Sequence, residues 1–208
     1  MRIAPEGWPF IIGGWVLQLV LAGLGWWIAA ALWLPIAIWL LVFFRDPVRS
    51  GPRGNEVIIA PADGKVVSVI PMHEPDVIAG SATRISIFMN VFNVHVNRYP
   101  VDGPITFRRY RPGKFFNAAD DKAALENEQS DVGITTVHGP ILTRQIAGLI
   151  ARRIITDDGE GVIARQGDRM GLIRFGSRVD VFVPPGVEVL VKEGEMTTAG
   201  ETVIARWK

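Results

Sequence analysis

The run Leu172-Ile173-Arg174-Phe175-Gly176-Ser177-Arg178-Val179-Asp180-Val181-Phe182-Val183 has the pattern of a β-strand on both sides of a glycine-serine pair. Polar and apolar residues alternate strictly after Ser177, which is typical of a strand with one buried face. Glycine weakens a strand and commonly marks a bulge or a close backbone approach. The simplest interpretation is a bulge at Gly176 within one strand. A second interpretation, argued below, makes Ser177 the residue at which the chain cuts itself.

Similar strand patterns occupy most of the sequence after residue 56. Apolar runs rich in β-branched residues alternate with Gly, Pro, Asp and Asn, as expected for short strands joined by turns. The runs predict strands at 57–60, 65–70, 83–89, 93–98, 104–108, 132–138, 141–149, 162–165, 171–175, 178–183, 187–191 and 202–206. Only 118–128 has a helical pattern. The sequence therefore predicts a mainly β domain, folded as a flattened β-barrel or sandwich.

Two segments of this domain, 62–67 and 189–205, resemble the paired hairpins of biotinyl and lipoyl domains. Both place glycines at the turn positions that such flattened barrels use. Since a fold does not by itself determine a function, this resemblance leaves open a non-enzymatic, membrane-anchored adaptor or carrier module.

The N-terminal part has the composition of membrane sequence. Residues 8–44 include no charged residue, and Gln18 is the only strongly polar side chain among them. A single helix over this run would be about 55 Å long, against a hydrocarbon core of about 30 Å. The run instead predicts two apolar helices, roughly 9–22 and 26–44, joined by a turn that contains Gly25. A cleaved signal peptide is the alternative, but the run is too long and no small-residue cleavage site ends it.

Charges beside the apolar run predict its orientation. Arg45, Arg49 and Arg53 follow it directly, and the positive-inside rule then keeps the downstream domain on the cytoplasmic face of the cell's inner membrane. The arginine near the N-terminus fits a hairpin that returns both ends to that side. We therefore divide the chain into a membrane-associated helical hairpin, 1–46, and a catalytic β domain, 47–208. Whether the hairpin spans the bilayer or is re-entrant stays open.

The overall composition removes several classes of function. The 208 residues include 22 Lys and Arg against 21 Asp and Glu, and a net charge of +1 does not indicate a nucleic-acid partner. The absence of cysteine excludes disulfides, thiol nucleophiles and thiolate metal sites. The three histidines are scattered, so no metal site is expected.

Three polar residues stand out as candidates for acid-base chemistry. Asp63 lies in a Pro-Ala-Asp-Gly sequence, which is also typical of a turn. His95 shares one face of a predicted strand with two asparagines, although a lone histidine on a strand more often serves the surface or the core. His138, before a Gly-Pro pair, is a weaker candidate.

A short basic cluster follows the histidine-bearing strand. Arg108, Arg109, Arg111 and Lys114 are interleaved with aromatic residues, among them Phe115. A solvated strand face explains this pattern equally well. In a membrane-anchored protein, bases beside exposed aromatics would also suit an anionic lipid headgroup. The candidates for binding a substrate are therefore Arg109, Arg111, Lys114 and Phe115.

Taken in order along the chain, these groups resemble the short-form phosphatidylserine decarboxylases. The resemblance covers almost the whole chain, including the apolar N-terminus, and its most specific part is the Phe-Gly-Ser element at 175–177. The matching segments are Phe43 to Pro47, Pro61 to Gly64, Asn93 to Pro100, Tyr110 to Glu128, Gln145 to Gly148 with Arg152 to Ile154, and Arg174 to Arg178.

The resemblance implies self-cleavage between Gly176 and Ser177. Members of the family are made as proenzymes, and the motif serine attacks the preceding carbonyl before an elimination leaves a pyruvoyl group. Serine supplies both a hydroxyl nucleophile and a leaving group at Cβ. Glycine before it gives an unhindered carbonyl and access to unusual backbone angles. The products would be a large chain, 1–176, and a small pyruvoyl-bearing chain, 177–208, that stay together as a heterodimer.

The resemblance also implies the reaction and its partners. The pyruvoyl group made from Ser177 would form a Schiff base with the serine amine of phosphatidylserine and accept the electrons left when CO2 departs. Phosphatidylethanolamine would then be released, with neither a metal nor pyridoxal phosphate. The implied partners are phosphatidylserine and the lipid bilayer. An ether-linked serine phospholipid is an alternative substrate, whereas the apolar hairpin argues against a soluble amino acid.

Two further roles come from the same resemblance. Asp63 matches the processing aspartate of the family and would orient the base. His95 matches a histidine of the family's His-containing strand and would act as base in processing or as proton donor after decarboxylation. Long-form relatives carry His-x-x-His-x-Pro, whereas this chain has Arg98 at the second position. One histidine would then serve both steps, with His138 as the alternative base.

Overall fold

The computed structural model describes residues 2–114, 126–148, 153–174 and 176–208. They form two compact units, one that ends at Val48 and one over Arg49–Lys208. The predicted helix at 118–128 lies mostly outside the described residues.

The N-terminal unit is a helical hairpin. A short 3₁₀ turn, Pro5–Gly7, leads into α1, Trp8–Gly23, and α2, Trp27–Phe43, follows. The two helices confirm those predicted from the apolar run. Short strands on either side of the hairpin, β1 (Arg2–Ile3) and β2 (Arg45–Asp46), pair antiparallel. This pairing brings the two ends of the hairpin together.

Close packing of the two helices depends on a small residue. The indole Nε1 of Trp33 donates a hydrogen bond to the carbonyl oxygen of Gly14, 2.8 Å away. A Cβ at Gly14 would lie 2.7 Å from Leu40 Cδ1, so a larger residue would require the Leu40 side chain to move. Many apolar side chains of both helices are exposed, among them Leu19 at 70% and Ile28 at 81%. No helix among the described residues has both the length and the apolar content needed to cross a bilayer.

The second unit contains the remaining strands of the described chain. They are β3 (Val57–Ile59), β4 (Gly64–Glu74), β5 (Gly80–Met89), β6 (Val96–Arg98), β7 (Gly103–Arg111), β8 (Gln129–Thr135), β9 (Pro140–Ala147), β10 (Ile154–Thr156), β11 (Ile163–Ala164), β12 (Arg169–Ile173), β13 (Ser177–Val183), β14 (Val187–Val189), β15 (Met196–Thr197) and β16 (Val203–Trp207).

These strands form three antiparallel sheets within the described residues. Eight of them pair in the order β11-β7-β8-β9-β13-β5-β4-β15, and this sheet curls into half a barrel. The two smaller sheets have the orders β10-β12-β6 and β14-β16-β3. The architecture confirms the prediction of a mainly β domain.

One apolar core joins the three sheets. Ile87 from β5, Val179 from β13, Ile173 from β12, Ile58 from β3 and Ala205 from β16 belong to the same buried cluster. Full burial of an isoleucine or valine side chain contributes about 1.5–3 kcal/mol relative to exposure. All three sheets therefore depend on one another for stability.

The simplest interpretation of the sequence, a bulge at Gly176 within one strand, is wrong. β12 ends in a three-stranded sheet and β13 begins in the eight-stranded one, and Gly176 lies between them with a φ of +59°. The prediction that one face of β13 is exposed to solvent is also wrong, because the strand is buried along its whole length between β9 and β5. Arg178 and Asp180, the polar residues of this face, are each 1% exposed.

Most other predicted strands are present with shifted ends. Residues 93–98 shorten to β6, so His95 lies just before a strand rather than inside it. The two segments 62–67 and 189–205 lie against each other, since Lys65 and Met196 are opposite one another in the β4–β15 ladder.

Candidate active site

Ser177 begins the most deeply buried strand of the molecule's large sheet. Its partners across the ladders are Met89 on β5 and Ala147 on β9. The side chain is fully buried, and Oγ makes no hydrogen bond with the described residues. An unpaired buried hydroxyl costs about 1–3 kcal/mol. Such a group calls for a functional reason, and a nucleophile held next to a peptide bond provides one.

Gly176 turns the chain into this strand. Its φ of +59° is the left-handed region, which costs a residue with a Cβ about 1–2 kcal/mol. A Cβ built at this position meets no atom within 4 Å. The backbone conformation, and not crowding by neighbours, therefore favours glycine before Ser177.

His95 contacts the backbone of Gly176 on the N-terminal side of that residue. The ring is fully buried, and Nε2 accepts a hydrogen bond from the Gly176 backbone N–H at 3.3 Å. Nδ1 lies 3.0 Å from the carbonyl oxygen of Asn93. Because Nε2 accepts, the ring proton is assigned to Nδ1, which donates to that carbonyl. The imidazole is thus neutral, and its Nε2 lone pair faces the Gly176 N–H. Because Ser177 Oγ makes no hydrogen bond with the ring, action as a general base requires Nε2 to exchange this N–H for the hydroxyl.

Asp63 lies in a turn, and its carboxylate accepts hydrogen bonds from groups other than His95. Its Oδ2 accepts from Arg49 Nη2 at 2.7 Å, and its Oδ1 accepts from the backbone N–H of Ala199 at 2.8 Å. The carboxylate therefore ties together three separate parts of the unit. Its role in orienting His95 stays a prediction, since Nδ1 of that ring faces the Asn93 carbonyl.

Two arginines of the predicted headgroup site lie on the opposite face of the sheet from the Ser177 side chain. Arg109 donates to Asp76 and lies 3.4 Å from Asp131, and Arg111 lies 2.9 Å from Asp131. Asp131 in turn accepts from Arg144, which is opposite Asp180 in the ladder and so shares its face. The arginines therefore do not line the space around the Ser177 side chain, and their binding of a headgroup stays a prediction.

Ion pairing also shapes the charges of this face. The hydrogen bond from Arg109 holds the pKa of the Asp76 carboxyl below its usual value, and the same bond raises the pKa of Arg109. Burial lowers the pKa of Arg111. Lys114 pairs with Glu126 at 2.8 Å on the exposed surface. Phe115, the fourth residue predicted to bind a substrate, lies outside the described residues.

His138 is remote from the glycine-serine pair. Its Nε2 lies 3.1 Å from Glu56 Oε1, and its ring packs against Trp207 at the turn between β8 and β9. Ala147, the neighbour of Ser177, is at the other end of β9, about 20 Å away at about 3.3 Å per residue. The geometry therefore favours His95 over His138 as the base.

Two contributors to the site were not assigned from the sequence. Asn93 acts through its backbone carbonyl, which no side-chain motif reports. Met89 reaches Ser177 through the register of two strands far apart in the sequence. Only the three-dimensional pairing reveals either of them.

Comparisons with known proteins agree with this geometry. The sequence profile of the family described as phosphatidylserine decarboxylase matches residues 36–205. A phosphatidylserine decarboxylase proenzyme of Nitrosomonas eutropha is 48% identical over 208 residues, covering 99% of this chain and 95% of the relative. A proenzyme of the same description from Symbiobacterium thermophilum is 45% identical over 205 residues, covering 98% and 95%.

Proposed function

The chain belongs to the phosphatidylserine decarboxylase family, and from this membership we propose that it converts phosphatidylserine to phosphatidylethanolamine and CO2 after cutting itself between Gly176 and Ser177. The observation that carries the proposal is the meeting of three groups at two consecutive residues, Gly176 and Ser177. These are the buried, unpaired Oγ of Ser177, the left-handed Gly176 and the Nε2 of His95.

Self-cleavage begins with a shift of the Gly176 acyl group from nitrogen to oxygen. His95 Nε2 takes the Ser177 hydroxyl proton while Oγ bonds to the Gly176 carbonyl carbon. The C–N bond then breaks, and the nitrogen of Ser177 receives the proton back from the imidazolium. The product is an ester between Gly176 and the serine side chain, with a free amine at residue 177.

Elimination then separates the chains. A base removes the Cα proton of residue 177, the bond from Cβ to Oγ breaks, and Gly176 leaves as a carboxylate. The resulting dehydroalanine takes up one water and loses ammonia, which leaves a pyruvoyl group at the start of residues 177–208. The buried position of Ser177 fits such a group, because the small acyl group replaces a side chain with no hydrogen bond of its own.

The pyruvoyl group supplies an electron-withdrawing carbonyl that accepts the electron pair left by departing CO2. The chain's own residues bind and orient around it. Met89 and Ala147 flank residue 177 on the two neighbouring strands, and burial there limits access of water. His95 is the group beside the site that can return a proton to the product.

Intact mass under denaturing conditions tests self-cleavage. We expect two products, 1–176 and 177–208, with the smaller one blocked at its first residue. Ser177→Ala should give one uncut chain, and Ser81→Ala, at an exposed position of β5, should cut normally. A wild-type protein that remains a single chain would refute the proposal and favour the adaptor.

Release of CO2 tests the substrate. The cut protein in detergent should release CO2 from phosphatidylserine, and free serine should release none. Acyl-linked and ether-linked serine phospholipids, supplied separately, determine which lipid is used. Cleavage without CO2 release from either lipid would contradict the assigned reaction.

The helical hairpin attaches the enzyme to the membrane that holds its substrate. Exposed apolar side chains support this assignment, above all at the tip, where Trp26 is 60% and Trp27 is 70% exposed. Tryptophan favours the interface between lipid and water. The positive-inside rule, applied to the arginines after α2, supports a position of the β unit on the cytoplasmic face of the inner membrane. Within the β unit, we assign the segments 62–67 and 189–205 as hairpins of the biotinyl and lipoyl type.

Vesicle flotation tests this attachment. The full chain should float with phospholipid vesicles, and Trp26→Ser with Trp27→Ser should weaken binding by about tenfold or more, given the apolar area lost. Val137→Ser removes an apolar side chain that is 77% exposed in the β unit and should leave binding unchanged. Equal loss in both variants would argue against the hairpin as the attachment site.

A further inference from the structure

A chain of hydrogen bonds runs through the buried side of the β unit toward Ser177. It leads from Arg108 on β7 through Ser130 on β8, Thr156 on β10 and Gln145 on β9 to Asn97 on β6. The separations are 3.2 Å from Arg108 Nη1 to Ser130 Oγ and 2.8 Å at each of the three following steps. Asn97 and Gln145 are fully buried.

The donors along this chain follow from the bond between Thr156 and Gln145. Arginine has donors and no acceptor, so Ser130 Oγ accepts from Arg108. Thr156 donates its one hydroxyl proton to Gln145 Oε1, and Ser130 is therefore the donor in its bond with Thr156. Because Oε1 of Gln145 accepts, its Nε2 faces Asn97 and donates to Oδ1. The amide group of Asn97 is thereby turned so that its Nδ2 points away from Gln145.

The donor at the end of the chain lies beside the cleavage strand. Asn97 Nδ2 is 3.5 Å from Met89 Sδ, and a thioether is a weak acceptor. Met89 is directly opposite Ser177 in the β5–β13 ladder, so the two side chains point to the same face of the sheet. A donor without a strong acceptor is therefore held on the face that carries the unpaired Ser177 Oγ.

We propose that Asn97 is the hydrogen-bond donor for the negative charge that develops during self-cleavage, and that Gln145, Thr156 and Ser130 are positioning residues that act through it. The inference rests on the proposed self-cleavage. In that step the carbonyl electrons of Gly176 move onto oxygen as Oγ attacks. A fixed donor in a buried site stabilises such a charge more than water does, because it needs no reorientation.

Two substitutions at Thr156 test whether its hydroxyl is needed in this chain of hydrogen bonds. Thr156→Val keeps the shape and removes the hydroxyl, whereas Thr156→Ser keeps the hydroxyl and removes a methyl group. We expect Thr156→Val to slow the appearance of the 177–208 fragment about tenfold and Thr156→Ser to stay near the wild-type rate. The rate is followed by mass after timed synthesis in the presence of detergent. Thr106→Val, which removes a hydroxyl from an exposed pair with Thr135, is the matched control and should cut normally.

A substitution at Asn97 gives the size of the effect. Asn97→Leu removes the donor at similar volume and should slow cleavage by about 10²-fold, the usual cost of losing one such donor. The double variant with Thr156→Val should be no slower than Asn97→Leu alone, because Thr156 acts only through Asn97. If Asn97→Leu fails to fold, the Thr156 pair and its control decide the matter.

The results separate this inference from the proposed function. If the wild-type chain is never cut, the proposed function fails. If the wild-type chain is cut and Thr156→Val is cut equally fast, or if Thr156→Val and Thr156→Ser are slowed alike, the inference fails alone. Additive effects in the double variant would likewise overturn it.

Discussion

At the scale of single residues, the site depends on backbone conformation as much as on side-chain chemistry. Gly176 has a left-handed φ and open space where a side chain would lie. His95 is held by a backbone carbonyl on one side and a backbone N–H on the other. Neither feature is visible in a list of reactive residue types.

The first prediction concerns Gly176. If backbone conformation governs this position, Gly176→Asn should keep the most self-cleavage, Gly176→Ala less, and Gly176→Val least, because asparagine tolerates the left-handed region and a β-branched residue does not. The expected loss for alanine is about tenfold, from a cost of about 1–2 kcal/mol. Timed intact mass gives the rates. If alanine is cut faster than asparagine, side-chain size and not φ governs the position.

The second prediction concerns Tyr99. Burial, and then its hydrogen bond to Asp158 at 2.8 Å, raise the pKa of this phenol above the usual value of 10.0. Below pH of about 10 the phenol is protonated in both the folded and the unfolded chain, so its contribution to stability is complete. Above that pH the unfolded chain loses the proton first, and the free energy of unfolding falls.

Urea unfolding of the uncut Ser177→Ala chain, below and above pH of about 10, measures this slope. Tyr99→Phe should remove most of the alkaline loss, at a basal cost of about 1 kcal/mol for the hydrogen bond. Tyr110→Phe is the comparison. Burial and a hydrogen bond to Glu128 also raise the pKa of this phenol, but the side chain is 58% exposed, so its removal should reduce the alkaline loss less than Tyr99→Phe does. If the free energy of unfolding of Tyr99→Phe falls with alkaline pH as steeply as before, the loss of stability comes from another group.

At the scale of elements, the strand that carries the cleavage site separates two environments. One face of β13 joins the apolar core through Val179 and Val181. The other face carries a buried ion pair, in which Arg178 Nε donates to Asp180 Oδ1 at 2.8 Å and Arg84 Nε lies 3.9 Å from Asp180 Oδ2. Arg178, the residue after Ser177, is thus held by an ion pair on one face, while Ser177 faces the core side.

A third prediction follows from this ion pair. Asp180→Asn leaves two buried guanidinium groups facing a neutral amide and should cost about 3–5 kcal/mol of stability. Arg178→Met should cost less, because Arg84 still faces the carboxylate. Lys114→Met, which breaks an exposed pair, should cost less than about 1 kcal/mol. Urea unfolding in the Ser177→Ala background ranks them. Arg178→Met costing more than Asp180→Asn would contradict this assignment of partners.

Much of this element structure could be predicted from the sequence, for reasons that differ between elements. The apolar run at 8–44 predicts α1 and α2 because no other part of the chain has so long a run of apolar residues without a charge. The short strands β10 and β15 lack a pattern long enough to recognise, and their pairing partners define them.

The candidate site divides in the same way. Ser177, Gly176 and His95 were predicted, and the structure brings them together. The arginines at 109 and 111 look like ligands in sequence because their carboxylate partners, Asp76 and Asp131, are distant in the chain. Gln145 shares a face of β9 with Ile141, Thr143 and Ala147, and its role can be recognised only when Asn97 is known to be its neighbour.

At the scale of the whole molecule, the segment after the proposed cut pairs with strands from the rest of the chain. Residues 177–208 provide β13 at the middle of the eight-stranded sheet, β15 at its edge, and β14 and β16 in a smaller sheet. Cleavage removes one peptide bond and none of these ladders.

The fourth prediction is that the two chains separate only when the β unit unfolds. Size-exclusion chromatography of the cut protein in mild detergent should give one peak at the size of the uncut Ser177→Ala chain. Denaturing electrophoresis of that peak should show both chains. A small chain that elutes by itself without denaturant would contradict the role of β13 as a central strand.

The pairing of β16 with β3 has a consequence for synthesis. During translation β3 is made before Ser177 and β16 is made after it, and the two strands pair with each other. The core that β13 shares with β3 and β16 is therefore completed only when residues beyond the proposed cut have been made. If self-cleavage needs this core, a chain that stops before β16 would keep an ordinary serine, and maturation would report on complete translation.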